Sequence, residues 1–177
     1  MKPPNQLIQV AIKMGLIGAL MNVLALTIFY YIGRHPLLLN PVIDIGTRFL
    51  LLGLFVFFSL RMFRDQNEGV LHFWQAVLLG FLVYLIIVQM ASAFIAVFAS
   101  IDATHFLSSY IAVAIEQINN NKEAFIEKLG EKTVTDALTM LPKTTASNLA
   151  FDYFLKSMPI GLILTLLLST LMRRKGN

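Results

Sequence analysis

Four separated apolar stretches, each about as long as a bilayer is thick, restrict this chain more than any other feature. They run over about 14–33, 41–60, 74–101 and 154–172. A hydrocarbon core of about 30 Å takes roughly 20 residues of helix to cross. Lipid offers no water to backbone amides, so a spanning segment closes its hydrogen bonds within one helix or within a closed barrel. None of the four stretches alternates apolar and polar residues as a barrel strand must. The expected fold is therefore all-α, a polytopic membrane protein with four transmembrane helices. Composition agrees: 57% of residues are hydrophobic and 14% charged, against about 45 to 50% and about 25% in soluble domains.

The ends of the stretches carry ordinary stop signals. His35-Pro36 and Asn40-Pro41 bracket a short turn between the first two spans, because proline lacks a backbone donor and disfavours helix at the residue before it. Arg64 to Gly69 is a second short polar turn, so the first three helices are antiparallel neighbours. Lys2 and Lys13 precede the run Met14 to Gly33, but that run is longer than the roughly 7 to 15 apolar residues of a secretory signal. It reads as an uncleaved first span. Lys2, Lys13, Arg61, Arg64, Arg173, Arg174 and Lys175 fall on one side of the spans, and Arg34 and Arg48 on the other. Basic residues accumulate on the cytoplasmic side, which predicts cytoplasmic termini and a multi-pass protein of the bacterial inner membrane. The same rule explains a pI near 9.5 without a nucleic-acid partner. The chain has no cysteine, which excludes disulfides, thiolate metal sites and cysteine nucleophiles.

Residues 102–153 are expected to form an extracytoplasmic helical insert between the third and fourth spans. Ile111, Ile115, Ile118, Phe125, Ile126 and Leu129 recur near helical period with charged residues between them, the pattern of an amphipathic helix. A break near Asn119-Asn120-Asn121 and a stop at Gly130 are expected. Thr133 and Asp136 resemble a capping pair for a second short helix closed by Pro142, and Ser147 a cap for the helix that enters the fourth span. An insert this small cannot bury a sizeable core alone. Its apolar face needs the headgroup layer, the spans, a second copy or another protein.

Chemistry-bearing residues are few. Asp44 and Arg48 lie one helical turn apart near the start of the second span. A rise of about 1.5 Å per residue puts Arg48 about 20 Å from Arg61, inside the hydrocarbon on the outer side. Charged residues at such depth mark a polar pathway or a structural pair, or reach outward to the headgroups. Asp152 and Lys156 repeat the spacing at the start of the fourth span. Asn22 and Gln89 present amides deep in the first and third spans, alongside steps of four small residues such as Gly18 with Asn22 and Ser92 with Ala96 and Ser100. Such stripes let helix backbones approach closely. Together Asp44, Arg48, Asn22 and Gln89 are the candidate polar site. Glu68 with His72, and Asp102 with His105, are each expected to share a helical face, but two ligands do not make a metal site. Ser109, Thr144 and Thr145 have no His and acid pattern beside them, and no Gly-rich phosphate loop is present. The expectation is a protein without cofactor or catalytic residues.

Certain segments resemble a family of small bacterial inner-membrane proteins catalogued as domain of unknown function 4199. They are the Gly15-Leu-Ile-Gly18 opening of the first span, Gly69-Val-Leu-His-Phe-Trp-Gln-Ala76 leading into the third, the charged helical insert, and the terminal Leu171-Met-Arg-Arg-Lys175. The insert is richer in Asn and Thr than the family pattern. The resemblance implies no activity; it implies an association with membrane glycosyltransferases acting on lipid-linked sugars. Two functions follow as expectations. The first is a non-catalytic integral subunit or scaffold that binds another membrane protein or a second copy. The alternative is a small oligomeric transporter or channel built around the polar site.

Overall fold

The computed structural model describes residues 4–173, so Lys2, Arg174 and Lys175 lie outside the described residues. The long helices are α1 (Pro4–Tyr31), α2 (Pro41–Gln66), α3 (Phe73–Ile101) and α7 (Ala146–Met172). Each contains a segment long and apolar enough to cross a membrane: Gln6–Tyr31, Val42–Gln66, Phe73–Ile101 and Ala146–Met172. Between α3 and α7 stand three short helices, α4 (Ser108–Asn120), α5 (Lys122–Leu129) and α6 (Glu131–Met140). The chain is an all-α polytopic membrane protein with a helical insert between its third and fourth spans. The helices outrun the apolar stretches: α1 begins at Pro4 rather than near Met14, and α2 continues past Leu60 to Gln66. The flanking Gln6, Lys13, Arg61 and Arg64 are good helix formers, so the backbone stays helical beyond the apolar core.

Local chemistry sets the helix ends. Past Tyr31, Gly33 takes a φ of 82°, Gly33 N–H bonds the Tyr30 carbonyl and Arg34 N–H bonds the Phe29 carbonyl, both at 3.0 Å. This is the left-handed glycine stop that satisfies the last carbonyls of a helix. Asn40 opens α2 by accepting the Val42 N–H at 2.9 Å, with Pro41 in the first turn. A π-helical turn, Ala103–Leu107, redirects the chain from α3 into α4, and a 3-10 turn, Leu141–Lys143, leads out of α6. The break at Asn121 and the stop at Gly130 fall where expected. Two expected caps do not. Helix α6 starts at Glu131, so Thr133 lies inside it; Gly130, with φ 84°, both ends α5 and opens α6. Helix α7 is capped by Thr145, which accepts the Asn148 N–H at 3.2 Å, not by Ser147. Glu68 also departs from expectation: it sits in the α2–α3 turn with φ 55°, ahead of α3, and shares no helix with His72.

Helix α3 is the centre of the bundle, packing on α1, α2 and α7, while α2 also packs on α1 and α7. The antiparallel order places the α1–α2 loop, the insert and the start of α7 at one end, called the insert face. Small residues set the helix contacts. A Cβ at Gly18 of α1 would fall 2.6 Å from Ile87 of α3, and one at Gly161 of α7 would fall 2.5 Å from the Tyr84 ring. With no hydrophobic drive between helices in lipid, close packing of this kind is what joins them. The outward faces carry large exposed apolar residues such as Leu20, Leu50, Val97 and Leu171, as a lipid-facing surface does. In the insert, α5 packs on α6 and α4 on both. Of the expected partner face, Ile111, Ile115, Ile118, Phe125 and Ile126 are half-buried and only Leu129 is exposed.

Candidate functional site

The polar residues of the spans fall into separate places. Asp44 and Arg48 sit where α2 meets α7 near the insert face. Arg48 is only 5% exposed, its Nε donating to Asp44 Oδ1 at 2.8 Å and one terminal nitrogen to Ser157 Oγ at 2.7 Å. The same nitrogen lies 3.4 Å from the Tyr153 carbonyl, and the guanidinium stands 4.3 Å from the Tyr153 ring centre. The Tyr153 hydroxyl in turn rests against the Asn22 amide of α1, 3.0 Å from its nitrogen and 3.1 Å from its oxygen. One connected network therefore ties α1, α2 and α7 across the bundle. A buried cation is tolerated when it is hydrogen-bonded and a counterion is in contact; here Nε and one terminal nitrogen of Arg48 are bonded and Asp44 is the counterion. The cavity beside it is about 20 Å³, room for one water and no solute.

Gln89 is not part of that network. It lies near the middle of α3, is exposed, and makes no hydrogen bond. It borders a shallow groove of about 390 Å³ between α3 and α7, with Ser92, Ala93, Ala96, Ala150 and Phe151. Ser92, 6% exposed, also lines this groove, and its enclosed hydroxyl has no hydrogen-bond partner. Thr165 and Ser169 also lack partners, but Thr165 is closed in against Gly80 of α3 and borders no groove there.

Above the membrane, a second polar set joins the α1–α2 loop to the insert. The His35 ring packs against Phe106 and Tyr110, with ring centres 4.6 and 5.4 Å away. Its Nδ1 accepts the Leu37 N–H at 3.3 Å, which leaves Nε2 to carry the proton and donate to the Phe106 carbonyl at 3.2 Å. Burial pushes the His35 pKa down to about 4, outweighing the hydrogen bond to Phe106. Nearby, Tyr30 donates to Asp102 Oδ2 at 3.0 Å and His105 Nδ1 lies 2.8 Å from Asp102 Oδ1. The His105 contact, first, and the Tyr30 hydroxyl hold the Asp102 carboxyl below its usual pKa.

Beneath the insert lies an open cleft of about 920 Å³. Helices α4 and α5 roof it with Gln117 and Phe125, while Asp44 and Ile45 of α2 face Lys156 and Ile160 of α7. The four expected site residues thus divide: Asp44, Arg48 and Asn22 belong to one network, and Gln89 stands alone on the lipid side. Sequence reasoning missed Tyr153, Ser157 and His35 as the residues that complete the contacts.

Helix number, packing and the intramembrane ion pair define the class as a four-span helical membrane protein. The chain belongs to the family described as protein of unknown function, DUF4199, which it matches over residues 13–174. No curated protein and no solved structure matches it.

Proposed function

We propose that the chain is a non-catalytic integral subunit or scaffold of the bacterial inner membrane, termini cytoplasmic and insert outside, that docks a partner membrane protein within the plane of the bilayer. The α3–α7 groove carries this reading. An amide facing hydrocarbon without a partner costs on the order of several kcal/mol, and Gln89 is such an amide. Ser92, whose enclosed hydroxyl has no partner, lines the same groove. A transmembrane helix laid along Ala93 and Ala96 can approach closely and supply a polar group to Gln89. Membrane glycosyltransferases acting on lipid-linked sugars, the partner class implied by the resemblance, are the first to test. The transporter reading is weaker, because Arg48 is tied to Asp44 and Ser157 and the cavity there admits no solute.

Purification in mild detergent from native membranes tests the proposal. The wild-type chain is expected to bring down another membrane protein or a second copy, and Gln89→Leu to lose it while remaining folded. A chain that runs alone at all concentrations, or a complex indifferent to Gln89→Leu, overturns it.

A further inference from the structure

We infer that the cleft under the insert binds one outer-leaflet phospholipid with an amine headgroup, the phosphate held by Lys156 and the ammonium by Asp44. Both residues line the cleft, one on each wall. Asp44 precedes Arg61 on α2, and Lys156 precedes Arg173 on α7, by the same seventeen residues. At about 1.5 Å per residue both charges stand roughly 26 Å above the arginine level. Across a hydrocarbon core of about 30 Å, that depth is the outer boundary, where lipid phosphates begin.

Each polar group on the cleft wall keeps bonding capacity after its internal contacts are counted. Lys156 gives one of its three donors to Asp152 Oδ2 at 2.5 Å. The Asp44 carboxylate uses Oδ1 for Arg48 and has Oδ2 left. Asn40 uses its oxygen to cap α2 and keeps its amide N–H groups. Gln117 uses its nitrogen on the Leu38 carbonyl, pinning the roof to the α1–α2 loop at 3.2 Å, and keeps its oxygen; Asn121 uses its nitrogen on the Gln117 carbonyl at 2.9 Å and likewise keeps its oxygen. The free set therefore holds donors for a phosphate, beside the positive N-terminal end of α2, and acceptors for an ammonium. Charge decides between headgroups. An anionic lipid without an amine would engage Lys156 but leave Asp44 Oδ2, the oxygen Arg48 does not use, without a donor beside the phosphate, whereas a zwitterion engages both. Below these charges Ile45 and Ile160 line the cleft with apolar surface, placed where acyl chains begin. The volume falls in the range of sites that enclose a small ligand, about 300 to 1,000 Å³.

Native mass spectrometry of the full chain, equilibrated in mixed micelles with equal phosphatidylethanolamine and phosphatidylglycerol, tests the assignment. The wild-type chain is expected to retain one phosphatidylethanolamine, with about tenfold preference over phosphatidylglycerol, the worth of one charge-assisted contact. Lys156→Glu, at a half-exposed position outside the packed core, should reduce retention of both lipids about tenfold. Asp44→Asn keeps an oxygen for Arg48, and should abolish the preference while leaving retention. Helix content and thermal stability of each variant are measured alongside. No retained lipid, equal retention of the two by the wild-type chain, or indifference of the folded Lys156→Glu variant overturns the inference. None of these outcomes bears on the α3–α7 groove, which shares no residue with the cleft.

Discussion

Removing one member of the Asp44–Arg48 pair should cost far more from one side than from the other. Arg48 has a side chain 6% exposed, while that of Asp44 is 25% exposed and reaches the open cleft. Asp44→Leu leaves a guanidinium enclosed without its counterion, the situation that costs about 3 to 5 kcal/mol when a buried pair is broken. The remaining contacts, to Ser157 Oγ and the Tyr153 ring, are to neutral groups and do not neutralise it. Arg48→Met leaves the carboxylate at a cleft wall where water reaches it. The loss there is the hydrogen bonds to Asp44 and Ser157 and the contacts to the Tyr153 carbonyl and ring, but Ser157 and that carbonyl remain bonded to each other, so it amounts to about 2 kcal/mol. The double replacement puts an apolar pair where an ion pair stood, and should return to within about 1 kcal/mol of the starting protein. Unfolding in mixed micelles by rising SDS, read by pulse proteolysis, measures all three. Arg48→Met costing more than Asp44→Leu, or the double variant remaining as unstable as Asp44→Leu, refutes the reasoning.

Acidification should loosen the insert from the bundle. The docked His35 has its pKa lowered to about 4 by burial, so its contribution is complete above about pH 6.5, the value of a free histidine, and is lost as pH falls towards 4. At pH 5 the difference amounts to about 2 kcal/mol; Tyr30 and Tyr110, on the same aromatic cluster, do not ionise in this range. Protection factors in α4 and α5, taken relative to the intrinsic exchange rate at each pH, should fall between pH 7 and 5 in the wild-type chain, and His35→Leu should remove that fall. Tyr153→Phe or Asn22→Leu alone leaves one buried polar group unpaired and should cost about 1 to 2 kcal/mol in the SDS titration, whereas the double variant should recover most of it. Gly161→Ala drives a methyl group into the Tyr84 ring and should cost about 1 to 3 kcal/mol; Gly46→Ala, where a Cβ meets nothing within 4 Å, serves as the control and should cost far less.

The spans were legible because lipid makes one demand, about 20 apolar residues per crossing, and the sequence meets it four times. Their packing was legible in part: Gly18 belonged to a stripe of small residues and sits where α1 approaches α3. The ion pair was legible from depth and spacing. Its environment was not, because Tyr153 and Ser157 lie more than a hundred residues away on α7, and sequence spacing says nothing about which helix faces which. A tyrosine and a serine four residues apart at the head of the fourth span were the available signal. Gln89 read as one of two equivalent deep amides, yet Asn22 turned inward to Tyr153 and Gln89 outward to lipid. That difference depends on the rotation of α1 and α3 about their own axes, which a nearly uniform apolar helix does not record. The insert caps were misread at Thr133 and Ser147 because several Thr and Ser residues compete for each helix start, and backbone geometry at Gly130 and Thr145 decided between them.

The chain has no cysteine, so a cysteine placed at Ala93, beside Gln89 in the α3–α7 groove, reports what touches that face in an intact native membrane. Labelling with a thiol-reactive benzophenone, which on irradiation inserts into C–H bonds of whatever lies beside it, should convert the Ala93→Cys chain to a discrete larger species, while a cysteine at the lipid-facing Leu50 of α2 labelled in the same way stays monomeric. A monomer at Ala93→Cys, or equal adducts at both positions, would contradict the account.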